Sequence, residues 1–139
     1  MDELLELRGI VEAPPDAVAG ILLDVRPGGR SPLAATGVAE PARGDVFTVT
    51  KKGSKLTVAV DWDALMVTVK GEWWFQGVTT VTPDERGSLV VYRIFNAAPG
   101  QGWAVRFVSR GPLNAAPADF AAQLATLGTE LHCKAYAVD

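Results

Sequence analysis

The chain has 139 residues, 48 % of them hydrophobic and 21 % charged, with a formal net charge of −3. That is length enough for one domain with its own core and too apolar for disorder, while the acidic balance gives no nucleic-acid or anionic-membrane signal. A lone cysteine, Cys133, excludes an internal disulfide or a zinc site of several cysteines; the acidic start, with Asp2, Glu3 and Glu6, lacks the features of a signal peptide, and no window resembles a membrane span, so a cytoplasmic protein is expected.

Residues 3 to 13 alternate, with Leu5, Leu7 and Val11 on one face and Glu6, Arg8 and Glu12 on the other, which predicts a half-buried strand with Gly9 as a bulge or a close approach. Pro14, Pro15 and Asp16 open a short helix with Val18, Ile21, Leu22 and Val25 as its apolar face, stopped at Pro27-Gly28-Gly29. Residues 26 to 44 hold three prolines and four glycines, so a mostly irregular loop follows, with at most a helical turn near Leu33 to Ala35. From Asp45 the pattern turns to strands: Val46 to Thr50, Leu56 to Trp62, Leu65 to Lys70, Trp73 to Thr82 and Leu89 to Asn96, linked closely enough for an antiparallel meander that the first strand joins as a sixth. Trp103, Phe107 and Val108 fit a short helix better than a last strand through Arg106 and Arg110, with Gly111-Pro112 as its stop. A long helix then runs from Asn114 to Lys134, with Phe120, Leu124, Leu127 and Leu131 on one stripe.

Burying that stripe is worth roughly 6–12 kcal/mol as an upper bound, and the meander is the surface that receives it. The fold class is therefore α+β: a curved antiparallel sheet of about six strands or more around a long C-terminal helix, with a short helix after the first strand.

In this order of elements the chain resembles the START-like superfamily, also called SRPBCC, with its helix-grip fold, and within it the polyketide cyclase/dehydrase-like group. Ile10 to Val18 looks like the family's entry from strand to helix, Gly71 to Asn96 like its final strands, and Phe120 to Leu131 like its closing helix. The likeness spans nearly all of residues 1–139, taken as one START-like domain. The chain departs from the pattern in lacking a tryptophan just after the first helix and in the Pro and Gly content of Arg26 to Ala35. The resemblance implies a cavity between sheet and helix for a small hydrophobic molecule, lipid- or polyketide-like, without a cofactor.

Three functions compete on the residues: a binding module, a cyclase/aromatase-type enzyme in the same cavity with Tyr92 or Asp61 assisting proton transfer, and an interaction protein that forms a homodimer through an outward tryptophan. The expected lining is Trp62, Trp74, Gln76, Tyr92, Ile94, Asn96, Trp103, Phe107, Phe120, Leu124 and Leu127. The strand part of it rests on a turn that pairs Thr82 with Ser88, which puts Trp74, Gln76, Tyr92, Ile94 and Asn96 on the pocket face and Trp73, Phe75 and Arg93 on the other. Ordinary core packing accounts for most of the aromatics. Asp61 and Asp63 read as hairpin-end charges before they read as a catalytic pair, Glu72 and Arg93 as buried polar groups or a rim ion pair, and His132 has no companions at metal-ligand spacing.

Overall fold

In a computed structural model of the chain, the alternating start forms β1 (Asp2–Val11) and the paired prolines open α1 (Pro15–Leu22). Pro15 costs α1 nothing, because the first N–H groups of a helix have no intrahelical partner, and Asp16 suits the positive end of the dipole. The chain continues through β2 (Val38–Arg43), β3 (Val46–Lys51), β4 (Ser54–Asp61), β5 (Met66–Lys70), β6 (Phe75–Asp84), β7 (Gly87–Asn96), α2 (Gly102–Val108), α3 (Arg110–Leu131) and β8 (Ala135–Val138). The structure describes residues 2–26, 28–33, 38–43, 45–51, 54–98 and 102–139, without the side chains of 38–43, 51, 102 and 103.

All eight strands join one antiparallel sheet in the order β2-β3-β4-β5-β6-β7-β1-β8. Two of them are additions to the expected meander. β2 lies inside the stretch read as an irregular loop: it is an edge strand, paired only with β3, and there Pro41 is tolerated because its missing N–H removes no ladder bond. The expected helical turn at Leu33 to Ala35 extends beyond the described residues. β8 follows α3 and closes the other side of the sheet against residues Arg8 to Val11 of β1.

α2 is the short helix expected, but Gly111-Pro112 does not stop the helical path. α3 starts at Arg110, four residues before Asn114, and takes Pro112 into its first turn, where a proline is harmless. α3 ends at Leu131 because His132 adopts a left-handed conformation, φ 52°. The His132 N–H then donates to the Thr129 carbonyl and the Cys133 N–H to the Gly128 carbonyl, 3.0 Å away, a Schellman closure that turns the chain into β8.

The register places the side chains. Leu5, Leu7, Gly9 and Val11 of β1 lie opposite Ile94, Tyr92, Val90 and Ser88 of β7, which continue into Gly77, Thr79 and Val81 of β6, Val67 and Val69 of β5, and Val58 and Val60 of β4. This is the concave face. α1 covers it at β6 and β7, and α3 at β1 and β8. Phe120, Leu124 and Leu127 of the stripe are buried there with Val18, Leu22, Val81 and Val90. Gly9 is the close approach: a Cβ on it would stand 2.6 Å from a Leu124 methyl.

Candidate ligand-binding site

The concave face has a sealed end and an open end. Toward the β6–β7 turn, Val11, Val18, Val67, Val81, Val90, Leu124 and Leu127 are almost wholly out of water. Toward the other end Leu7, Leu56, Val69, Phe75 and Tyr92 are only half-buried. Trp74, Ile94, Val105 and Ala116 form a second small core beside this open end, where α2 and the start of α3 meet the sheet.

Tyr92 is at the centre of the open end. Its ring stacks on Phe120 of α3 with centroids 6.2 Å apart and planes 14° from parallel, and the Phe75 and Tyr92 rings fill the space that a side chain on Gly77 would need. Trp74 meets Phe75 edge-on at 5.5 Å. Burial, and secondarily the charge of Asp119, push the Tyr92 phenol up to about 12, so at neutral pH it is a hydrogen-bond donor. Among the described residues no protein acceptor takes that proton.

Two open depressions flank these rings. One, of about 310 Å³, lies between β1, the tip of β8 and α3, with Leu7, Pro117, Phe120 and Ala137 among its walls. The other, of about 230 Å³, lies at the ends of β4, β5 and β6 and is bounded by Leu56, Gly71, Glu72, Trp73, Trp74 and Phe75. Among the described residues these two recesses lie on either side of the Trp74–Phe75–Tyr92–Phe120 aromatics.

The expected lining divides accordingly. Trp74, Tyr92, Ile94 and Phe120 come together at the open end, and Asn96 lies on the same face, its side-chain oxygen accepting from the Ala98 N–H at 2.9 Å. Leu124 and Leu127 belong to the sealed end, where they fill space. Gln76 is displaced to the convex face. The hairpin pairs Thr82 with Leu89 and Asp84 with Gly87, one residue from the expected register, which exchanges Gln76 and Val78 for Phe75 and Gly77 on the concave side. Phe75 is thus a concave-face residue that sequence reasoning placed on the other face. Trp62 falls in the β4–β5 turn at the far end, 47 % exposed, and Phe107 is 65 % exposed on α2. The Trp103 side chain lies outside the described residues.

Of the neighbouring tryptophans, Trp74 is 8 % exposed and Trp73 44 %, the inward and outward pair expected. Asp61 accepts the N–H groups of Asp63 and Ala64 at 3.1 and 3.0 Å, which makes it a turn-former. Arg93 does not pair with Glu72: it bridges Glu3 at 3.1 Å and Glu6 at 2.8 Å on the convex face. Desolvation opposes ionisation of Glu6, yet the hydrogen bonds and charges of Arg8 and Arg93 hold its carboxyl below the usual carboxylate range. Among the described residues no three His, Cys, Asp or Glu side chains gather as for a metal, and no helix is long and apolar enough to cross a membrane.

A curved antiparallel sheet gripping a long C-terminal helix, entered through a strand and a short helix, is the arrangement of several solved structures. The fold is the helix-grip fold. A START superfamily protein from Mycobacterium smegmatis is 14 % identical, covering 90 % of this chain and 99 % of its own, with a TM-score of 0.54. Ara h 8.0201 is 13 % identical, covering 90 % of this chain and 98 % of its own, with a TM-score of 0.55. A protein from Nitrosospira multiformis is 11 % identical over 91 % of this chain and 95 % of its own, with a TM-score of 0.56. No protein-family model and no curated protein sequence matches the chain. The START-like resemblance therefore holds at the level of the helix-grip fold.

Proposed function

We propose that the protein binds a small apolar or aromatic molecule at the open end of its concave face, against Leu7, Leu56, Phe75, Tyr92 and Phe120. The observation that carries this reading is Tyr92, a phenol set among apolar side chains with its proton unclaimed by any described residue. A largely apolar guest with one hydrogen-bond acceptor fits such a wall, the rings supplying contact area and the hydroxyl an orientation. The helix-grip fold, seen also in the START superfamily protein, supports the reading by analogy. A phenol held protonated donates a hydrogen bond rather than abstracting a proton, which favours a binding module over a cyclase that uses Tyr92 as its base.

Tryptophan fluorescence titrated with fatty acids, sterols and aromatic polyketides tests the proposal, since Trp74 packs beside the site. One class should give a saturable response, and Tyr92→Phe should weaken it roughly two- to tenfold, as loss of one hydrogen bond does. Silence from every class would overturn the reading.

A further inference from the structure

We infer that the corner formed by α2 and the first turn of α3 docks on an anionic lipid surface. Phe107 and Val108 are 65 % and 47 % exposed, although α2 is otherwise well anchored: Val105 is buried in the cluster with Trp74, and Ser109 is buried one turn on. With that side fixed inward, Arg106, Phe107 and Val108 are held toward solvent. Arg110 joins them, its guanidinium 5.6 Å from the Phe107 ring centroid.

Single exposed apolar residues are ordinary, and Phe107 alone would mean nothing. The charge around it is what distinguishes this corner. The chain has 16 acidic residues against 13 lysines and arginines, yet no Asp or Glu occurs between Glu85 and Asp119. The charged residues of α2 and the first turn of α3 are therefore Arg106 and Arg110 alone, so these two segments of an acidic chain carry only positive charge, with the Phe107 ring between the two arginines in sequence and against Arg110 in space. Neither of the two depressions described above is lined by α2, so docking at this corner does not rest on a recess. A bilayer needs none: it takes up a protruding ring at the headgroup level while the arginines meet the lipid phosphates.

The test is co-sedimentation of the full chain with phosphatidylcholine vesicles that contain phosphatidylglycerol, against vesicles of phosphatidylcholine alone, in the absence of any other ligand. The fluorescence titrations above are done without vesicles, so the two proposals fail separately. The chain should sediment with the anionic vesicles, less so as salt is raised. Arg106→Gln and Arg110→Gln should each lower partitioning by about fivefold. Phe107→Ser should lower it roughly tenfold or more, and Phe107→Leu should retain most of it. All three positions are at the surface, and circular dichroism checks that each variant is folded. No binding by the wild type, equal binding to neutral vesicles, or binding that survives Phe107→Ser would overturn the inference. So would light scattering that shows the corner occupied by a second copy of the chain, as a dimer abolished by Phe107→Ser.

Discussion

Replacing Gly9 by alanine should destabilise the protein through one neighbour. A Cβ at this position would stand 2.6 and 2.8 Å from the two methyl carbons of Leu124 and 3.3 Å from its Cγ. Non-bonded carbons settle at about 3.5–4.0 Å, so α3 or the Leu124 side chain has to retreat by about 1 Å. Leu124 is 1 % exposed in the sealed half of the concave face, which makes that retreat an overpacking cost of about 1–3 kcal/mol. The stiffer unfolded chain returns about 0.4–1 kcal/mol, leaving a net loss of about 1–2 kcal/mol. Leu124→Ala alone should cost about 2–5 kcal/mol by leaving a cavity. In the double variant the new methyl occupies part of that cavity, and Gly9→Ala becomes neutral or stabilising. Urea unfolding of the four proteins, followed by tryptophan fluorescence, measures the coupling. Additivity of the two single effects within about 0.5 kcal/mol would refute the reasoning, because it would mean that α3 does not rest on β1 at this point.

Tyr92 makes stability depend on alkaline pH. Folding raises its pKa from 10.0 to about 12, so its contribution is complete below pH 10 and is lost as pH rises through 12, by up to about 2–3 kcal/mol. Unfolding curves of wild type and Tyr92→Phe across that range should differ in slope, and parallel curves would show the phenol to be as accessible folded as unfolded. The phenol of Tyr136, raised first by its hydrogen bond to Glu12, titrates in both proteins and cancels in the comparison. Gly87→Ala should be harsher than Gly9→Ala, since Gly87 has φ 131° and its Cβ would stand 2.7 Å from the Val11 carbonyl oxygen and from the Ala13 nitrogen, both backbone. A loss of roughly 2–3 kcal/mol, or about 5–10 °C in Tm, is expected by thermal denaturation, and an unchanged Tm would contradict the close approach of the β6–β7 turn to the end of β1.

Most of the framework was legible because its hydrophobic periods are strong. Val18, Ile21, Leu22 and Val25 were assigned inward from spacing alone, and all are buried. The stripe from Phe120 to Leu127 points to the sheet as its period requires. What sequence patterning missed depended on tertiary partners. β2 reads as loop because Pro41 weakens the pattern, and only its place at the edge of the sheet makes the strand permissible. β8 is a four-residue strand that owes its existence to the αL turn at His132 and to the free edge of β1.

The strand part of the site suffered from a single slip. Pro83 looks like turn material, yet it pairs with Ser88 beyond the end of β5, where its missing N–H costs no bond. The loop shrinks to Glu85-Arg86, closed by the Arg86 N–H donating to the Asp84 side chain at 2.9 Å. One residue of register put Gln76 outside and Phe75 inside, while Tyr92 and Ile94 were placed correctly because α3 claims their face.

The most direct test of the central claim is an amide NMR titration of the wild type with naphthol and, separately, with palmitate. An apolar guest at the open end should move the signals of Phe75, Gly77, Tyr92 and Phe120 in a saturable way while those of Val18 and Leu127, in the sealed half, stay in place. Shifts confined to the convex face around Val78 and Arg93, or no shifts with either probe, would contradict it.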